Sequence, residues 1–477
     1  MPDPEDHHHH PSLDIPRHLR YWKMCLSAPL PHHYLSNEGN RLALAYFIVN
    51  SIVILTPPAN TTAAAEAQNQ SILIPPSDRH RLRQWVLSHQ HPGGGFCPSS
   101  SLVFPLRGYE EWEPSTTEST YPGMANIPGT IFALQLLALL ADEDDPEGAF
   151  NGVDRVRTLR WLRRLQREDG SFGEVLREIP SGGGDDGKKT GTGGKWEILG
   201  GYDMRYCYIA ASIRWMLLGG GGEGEEKLDF DAEGLKRYIL SSQTYDGGFA
   251  ASSEEEPHAG YAYCAISALS LLDRPLETGE KSHESHVNFG ITDMRGLVHW
   301  LASRQFVYLE PAATTEDDDD DEDVVNFLLP STVSPTATDP LVASNGRTNK
   351  VADTCYSWWV GAALANLTKT ELFNWKATRR FLLEKMAHQI GGFSKYPGGP
   401  PDVYHSCFGL TALAVMKEPG LRELDSALAV PVDTVKVIEK ARGKLLRTAR
   451  TSTTRKDVVE MGLKMRGGGE RPAWLKT

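Results

Sequence analysis

The chain has 477 residues, of which 40% are apolar, and a formal net charge of −13. That is enough apolar sequence for a large core, built as two or three domains or as one closed helical domain. Eight of the negative charges sit in the single run Glu316-Asp317-Asp318-Asp319-Asp320-Asp321-Glu322-Asp323; the rest of the chain is mildly acidic, and nothing in this balance points to nucleic acid.

Residues 1–16 read as a flexible N-terminus, since Met1 to Pro11 is charged and His-rich with no apolar signal core. Apolar residues then recur at helical spacing over Arg41 to Leu55, Thr130 to Leu140, Val153 to Leu165, Tyr206 to Leu218, Leu235 to Leu240, Tyr263 to Leu272, Ser357 to Leu367, Thr378 to His388 and Phe408 to Met416. The stretch Leu42 to Leu55 is too short to span a bilayer and contains Asn50 and Ser51, so a buried core helix is expected and no transmembrane segment. Six scattered cysteines (25, 97, 207, 264, 355 and 407) fit a reduced, cytoplasmic protein better than a disulfide framework. Three low-complexity insertions interrupt the helices near 181–195, 219–226 and 308–344; their composition predicts disordered surface loops. Residues 431–477 read as a basic, partly flexible tail.

A repeat runs through the helical region. Gln90 precedes Gly94-Gly95-Phe96, Gln166 precedes Asp169-Gly170-Ser171-Phe172, Gln243 precedes Asp246-Gly247-Gly248-Phe249, and Gln389 precedes Gly391-Gly392-Phe393. Gln305 sits at an equivalent helix end without the Gly-Phe. In each unit a helix ends near Gln, Gly supplies the turn, and Phe returns to the core. Five or six such helix pairs must stack to bury their faces, and closing them into a ring gives an all-α fold, an α/α toroid spanning 17–430.

The stretch most suggestive of chemistry is Asn345 to Trp359, NGRTNKVADTCYSWW. Asp353 and Cys355 are zinc-ligand types one residue apart, and His405 stands far downstream in PDVYHSCFGL. Together they make a three-ligand set that leaves one position open for substrate. By spacing alone, a single Cys and a distant His are more often plain structural residues. Arg347 and Lys350 lie three apart, so a helical turn would put both on one face, suited to an anionic or phosphorylated substrate.

This ordered set, with the Gln/Gly-Phe repeats, Asp203-Met204-Arg205-Tyr206, Glu256-Pro257-His258-Ala259-Gly260-Tyr261 and the His405 segment, resembles the protein prenyltransferase β subunits over about Arg17 to Met416, insertions apart. The resemblance implies an α/α toroid with its active site in the central cavity. It implies one zinc ion on Asp353, Cys355 and His405, and an isoprenoid diphosphate held by His258, Arg347, Lys350 and Tyr356. Arg205, Tyr208, Cys264 and Trp359 match positions lining the lipid and peptide pocket. It further implies a heterodimer with a helical-repeat α subunit. Zinc would turn an acceptor cysteine into a thiolate, and the four donors would meet the charge that grows on the departing diphosphate.

Two positions place the resemblance nearest to geranylgeranyltransferase type I. Ala43 stands where farnesyltransferases carry a bulky Trp, leaving room for a fourth isoprene unit. Lys395 stands where they carry an Asp that helps bind magnesium, so zinc without a magnesium requirement is expected. Phe408, in place of Tyr, points the same way. The implied substrates are geranylgeranyl diphosphate and proteins ending in Cys-a-a-X, X often Leu, such as Rho-type small GTPases. A farnesyltransferase or Rab-type β subunit is the alternative; a terpene cyclase or a non-catalytic toroidal scaffold fits less well. The chain departs from the family at Asn126 and Ile131, where His and Tyr usually face the pocket.

Overall fold

The computed structural model describes residues 11–57, 74–102, 124–179, 195–220, 224–276, 287, 291–309 and 340–451. Among the described residues, helices come in six successive pairs: α1 (Ile15–Ser27) with α2 (Arg41–Leu55), α3 (Pro76–Leu87) with α4 (Ile127–Leu139), α5 (Arg155–Arg164) with α6 (Met204–Leu217), α7 (Ala232–Ser241) with α8 (Ala259–Asp273), α9 (Met294–Ala302) with α10 (Thr354–Asn366), and α11 (Trp375–Phe381) with α12 (Val403–Val415). The second member of each pair is apolar on nearly every side, which a helix tolerates only when it is surrounded. Those six touch in order, and α12 returns to α2, so they close an inner ring. Helices such as α5, with five arginines in RVRTLRWLRR, keep a charged face toward water and form the outer layer. The expected α/α toroid is the observed fold.

Five inner helices begin earlier than apolar spacing suggests, because each opens on a capped turn of small or polar residues. The side chains of Asn126, Asp203, His258, Asp353 and Asp402 accept from the backbone N–H of Gly129, Arg205, Gly260, Cys355 and His405 at 2.7–2.9 Å. Each bond satisfies an amide that the helix leaves without a partner. The stretch expected as one helix from Thr378 to His388 is α11 followed by a π-helical turn, Leu382–Met386.

The repeated Gln is a clamp between units. Oε1 of Gln90, Gln166, Gln243 and Gln305 accepts from the N–H of Asp154, Asp231, Asp293 and Asn374, the caps of the next outer helices, at 2.7–2.8 Å. Nε2 of the same residues donates to backbone carbonyls beside those caps. Gly170 and Gly247 hold φ of +93° and +94°, and a Cβ on either would run into the backbone of Gly234 or Gly296 in the following outer helix. Gln389 is not in this register. The residue that bridges to Phe393 is Ala387, because the last unit meets α1 instead. There Nδ1 of His18 accepts from the Gly392 N–H at 3.1 Å, and its ring stacks on Phe393 at 4.9 Å.

One end of the ring carries a floor. The segment between strands Leu424–Asp425 and Val430–Pro431 presents its carbonyls to side chains from four inner helices. Tyr46 and Asn50 donate to Ala429, Gln135 donates to Leu428, Tyr263 donates to Ser426, and Asn366 donates to Ser426. The first part of the expected basic tail is helical: α13 (Val432–Thr451) continues from the floor, with Ile438, Ala441 and Arg442 buried and Arg442 donating to the Trp215 carbonyl at 2.5 Å.

The insertions are also more structured at their ends than their composition suggests. Val342–Ser344, inside the expected loop 308–344, is a buried strand paired with Gln305–Val307. Glu225, inside 219–226, pairs with the buried Arg155. Strands Val175–Ile179 and Lys195–Leu199 form a hairpin flanking 180–194. The acidic run 316–323, residues 1–10, 180–194 and 452–477 lie outside the described residues. Among the described residues one stretch, His32–Leu55, is long and apolar enough to cross a membrane once the short helical turn before α2 is included; within the ring Leu42, Ile52, Ile54 and Leu55 of that stretch are buried.

Candidate active site

The candidate residues gather at the first turns of the inner helices, at a rim built by the caps just described. Asp353 caps α10 and Cys355 sits in its first turn. His405 occupies the first turn of α12, whose cap is Asp402. Side chains 50 residues apart in sequence are thereby brought together: one ligand atom each from Asp353, Cys355 and His405 lies within 4.8 Å of the others. His405 Nε2 is 3.3 Å from Asp353 Oδ1, while its Nδ1 is held by Asp402 Oδ2 at 2.6 Å. Burial disfavours a charged His405, but hydrogen bonds to Asp353 and Asp402 outweigh it and raise its pKa to about 9. Burial, then the Asp353 carboxylate, pushes the Cys355 thiol well up. A buried thiol, imidazole and carboxylate converging on one point form a donor set suited to a divalent metal, with Asp402 orienting the imidazole.

Beside this group stands a second constellation. His258 Nδ1 accepts from the Gly260 N–H at 2.9 Å, so in the neutral ring the proton is on Nε2. Nε2 lies 3.0 Å from Tyr356 Oη, and the His258 N–H donating there leaves the phenol proton free for another acceptor. Burial, Arg347 and Arg205 lower the His258 pKa to about 4, so the ring is a neutral donor near pH 7. Burial also raises the Tyr356 phenol, ahead of the effects of Cys355 and Asp353, which keeps it protonated. The Ala259 N–H donates to the Gly346 carbonyl at 2.8 Å, tying the Arg347 segment to the start of α8. Tyr356 packs so closely on Gly346 that a Cβ there would overlap the ring.

Arg347 and Lys350 lie on a turn closed by the Lys350 N–H and the Arg347 carbonyl, with Asn349 at φ +62°, and not on the helical turn that their spacing suggested. Arg347 reaches Glu256 at 3.0 Å; Lys350 is exposed and unpaired among the described residues. Lys395 is exposed, and its carbonyl accepts from the Thr354 N–H at 3.1 Å, which anchors it one residue from the cap of α10. Arg205 is gripped through Nε and Nη2 by Asp203.

Aromatic side chains line the ring interior. Trp359, one helical turn from Cys355, lies 4.7 Å from Phe408 and 5.1 Å from Tyr263. Tyr208 meets Tyr263 at 5.6 Å. Phe47 meets Phe132, Tyr404 and Phe408 at 5.6–5.8 Å. These inner helices are enclosed by neighbours, yet Phe47, Phe132, Tyr208, Trp359 and Tyr404 remain partly accessible, as an apolar pocket inside the ring requires. Ala43 is half-buried one turn before Phe47 on the same face of α2; Cys264 is buried on α8. Sequence reading missed Asp402, Phe47, Phe132 and Tyr404. Of these, Asp402 alone carried a signal, as an acidic residue three before a ligand-type His. Asn126, at a position that departs from the resemblance, caps α4 and donates to Glu174 at 3.3 Å, and Tyr206 donates to the other Glu174 oxygen at 2.9 Å.

Residues 13–430 match the prenyltransferase alpha-alpha toroid domain. The chain is 30% identical over 427 residues to the Arabidopsis thaliana geranylgeranyl transferase type-1 subunit beta, covering 87% of this chain and 88% of that one. It is 26% identical to the Dictyostelium discoideum protein of the same name, covering 85% and 91%. Among solved structures, Candida albicans protein geranylgeranyltransferase-I complexed with GGPP superposes with a TM-score of 0.65 at 23% identity, covering 90% of this chain and 99% of that chain.

Proposed function

Because this chain belongs to the prenyltransferase alpha-alpha toroid family, we propose that it is the catalytic β subunit of a protein geranylgeranyltransferase type I. In this reading it works with an α subunit in the cytoplasm and moves a geranylgeranyl group from its diphosphate to the cysteine of a C-terminal Cys-a-a-X protein, Rho-type GTPases among them. The observation that carries this reading is the adjacency of two groups at one rim: Asp353, Cys355 and His405 within 4.8 Å, and His258 with Tyr356 at 3.0 Å.

Zinc held by Asp353, Cys355 and His405 would supply an acceptor thiolate at neutral pH. The chain's own residues do the rest. The Tyr356 phenol, its proton left free by the His258 N–H that donates to its oxygen, and the Arg347 guanidinium are the donors for the diphosphate, whose charge rises as the allylic carbon–oxygen bond breaks. Lys350 and Lys395 add positive charge at the same rim, and Lys395 replaces a magnesium ion there. The N-termini of α8, α10 and α12 favour an anion at their first turns. Trp359, Phe408, Tyr208 and Phe47 enclose the isoprenoid and exclude water from the reacting carbon.

The test is direct. The chain, purified with its α subunit and zinc, is given 15- or 20-carbon diphosphate and a Cys-a-a-Leu peptide. Transfer favouring the 20-carbon donor without added magnesium is expected. A strong magnesium requirement with 15-carbon preference would move the chain to the farnesyl branch, and no transfer to any cysteine peptide would overturn the assignment.

A further inference from the structure

The two arginines at the rim are held in different ways. Asp203 takes the Nε–Nη2 edge of Arg205, its Oδ2 accepting from both at 3.0 and 2.5 Å. Glu256 takes Arg347 through Nη1 alone, at 3.0 Å. Among the described residues the Nε–Nη2 edge of Arg347 is unpaired, and that edge is the part of a guanidinium that matches two phosphate oxygens at once. Resting on the function proposed above, we infer that Glu256 is the positioning residue for Arg347: it holds one nitrogen so that the other edge stays turned to the diphosphate.

Glu256 and Arg347 are 54% and 43% exposed, and such a pair is ordinarily worth little because two flexible side chains must be ordered to form it. Here the backbones beneath both are already set. Pro257 is buried and restricts the chain next to Glu256. The His258 N–H donates to the Phe249 carbonyl at 2.9 Å, and the Ala259 N–H donates to the Gly346 carbonyl at 2.8 Å. The segments carrying the two partners are therefore joined directly to each other and to His258.

The zinc-loaded αβ enzyme provides the test, with inorganic diphosphate as the probe. Competitive inhibition of wild type by inorganic diphosphate is the control for the site itself, and its absence counts against the proposed function, whatever Glu256 does. Given that control, Glu256→Ala is expected to weaken inorganic diphosphate and raise KM for the isoprenoid diphosphate about threefold to fivefold, the ceiling for a pair this exposed. KM for the acceptor peptide and the melting temperature should stay at wild-type values. Glu256→Gln, which keeps the accepting oxygen, should restore most of the loss. In an Arg347→Ala background Glu256→Ala should have no further effect. Unchanged or tighter diphosphate binding in Glu256→Ala, or a loss that persists without Arg347, overturns the inference.

Discussion

Asp402 holds Nδ1 of His405 at 2.6 Å, and this turns Nε2 toward Asp353, 3.3 Å away. One carboxylate thereby decides both the tautomer and the direction of an imidazole that shares its focus with Cys355. Asp402→Ala should weaken zinc binding about 10- to 100-fold, the usual cost of losing a carboxylate behind a ligating histidine. Cys355→Ala should abolish zinc binding while the helical ring stays folded. Zinc titration of the metal-stripped protein with a competing chelator checks both, and full zinc content in Cys355→Ala would remove the proposed metal centre.

Arg347→Ala should slow transfer about 10- to 1000-fold, the scale for removing one charged donor from a developing anion. Single-turnover rates with saturating donor separate this from weaker binding. A rate within twofold of wild type would place Arg347 outside the reaction.

In the proposed function, Lys395 and Ala43 would act at opposite ends of the donor. Lys395→Asp should create a magnesium requirement, since a carboxylate is a hard oxygen ligand and an ammonium is not. Ala43→Trp, on the face of α2 that carries Phe47, should crowd the fourth isoprene unit by about 1–3 kcal/mol and shift preference to the 15-carbon donor. Rates with both donors, with and without magnesium, read the two effects separately.

Stability of the ring rests on the junctions between its units. Gly170→Ala should destabilise by about 1–3 kcal/mol through backbone strain alone, with a further loss from the overlap with Gly234. Gln166→Ala leaves the Asp231 amide without its partner at a solvent-accessible site, and should cost nearer 1 kcal/mol. Denaturant midpoints of the two variants should rank in that order; the reverse order would mean that the clamp, not the close approach, holds the units together.

His18 sits in the seam where α1 meets the last unit, fully buried. Burial, then Arg17, lowers its pKa from 6.5 to about 4, against a smaller opposing effect of Asp14. The unfolded chain therefore binds a proton between about pH 6.5 and 4 that the folded chain refuses. Stability from this residue is full above pH 6.5 and falls as pH drops toward 4. His18→Gln keeps an acceptor for the Gly392 N–H without titrating. It should be less stable than wild type at pH 7 and lose less between pH 7 and 5, which melting curves at both pH values measure. Parallel losses would show that His18 does not titrate on unfolding.

Much of this protein was legible in the chain itself. The toroid follows from helical periodicity and the Gln/Gly-Phe repeat, because a half-buried helix pair has to find another like it. The residue types of the metal group were visible too, though Asp353, Cys355 and His405 became a set only through the resemblance, since nothing local links position 355 to 405. Tertiary packing alone decided the remainder. Ala387, not Gln389, stands in the last clamp position because that unit closes on α1 and not on a further repeat. Composition marked 431–477 as a basic tail, yet α13 docks because Ile438 and Ala441 find a buried surface on the ring. Val342–Ser344 is core because Gln305–Val307 gives its backbone a partner. The floor was invisible in sequence because Tyr46, Asn50, Gln135, Tyr263 and Asn366, which hold its carbonyls, come from helices up to 320 residues apart, and only ring closure brings them to one place. Local pattern specifies what each segment can bury; which distant group satisfies its polar atoms is settled by the closed ring.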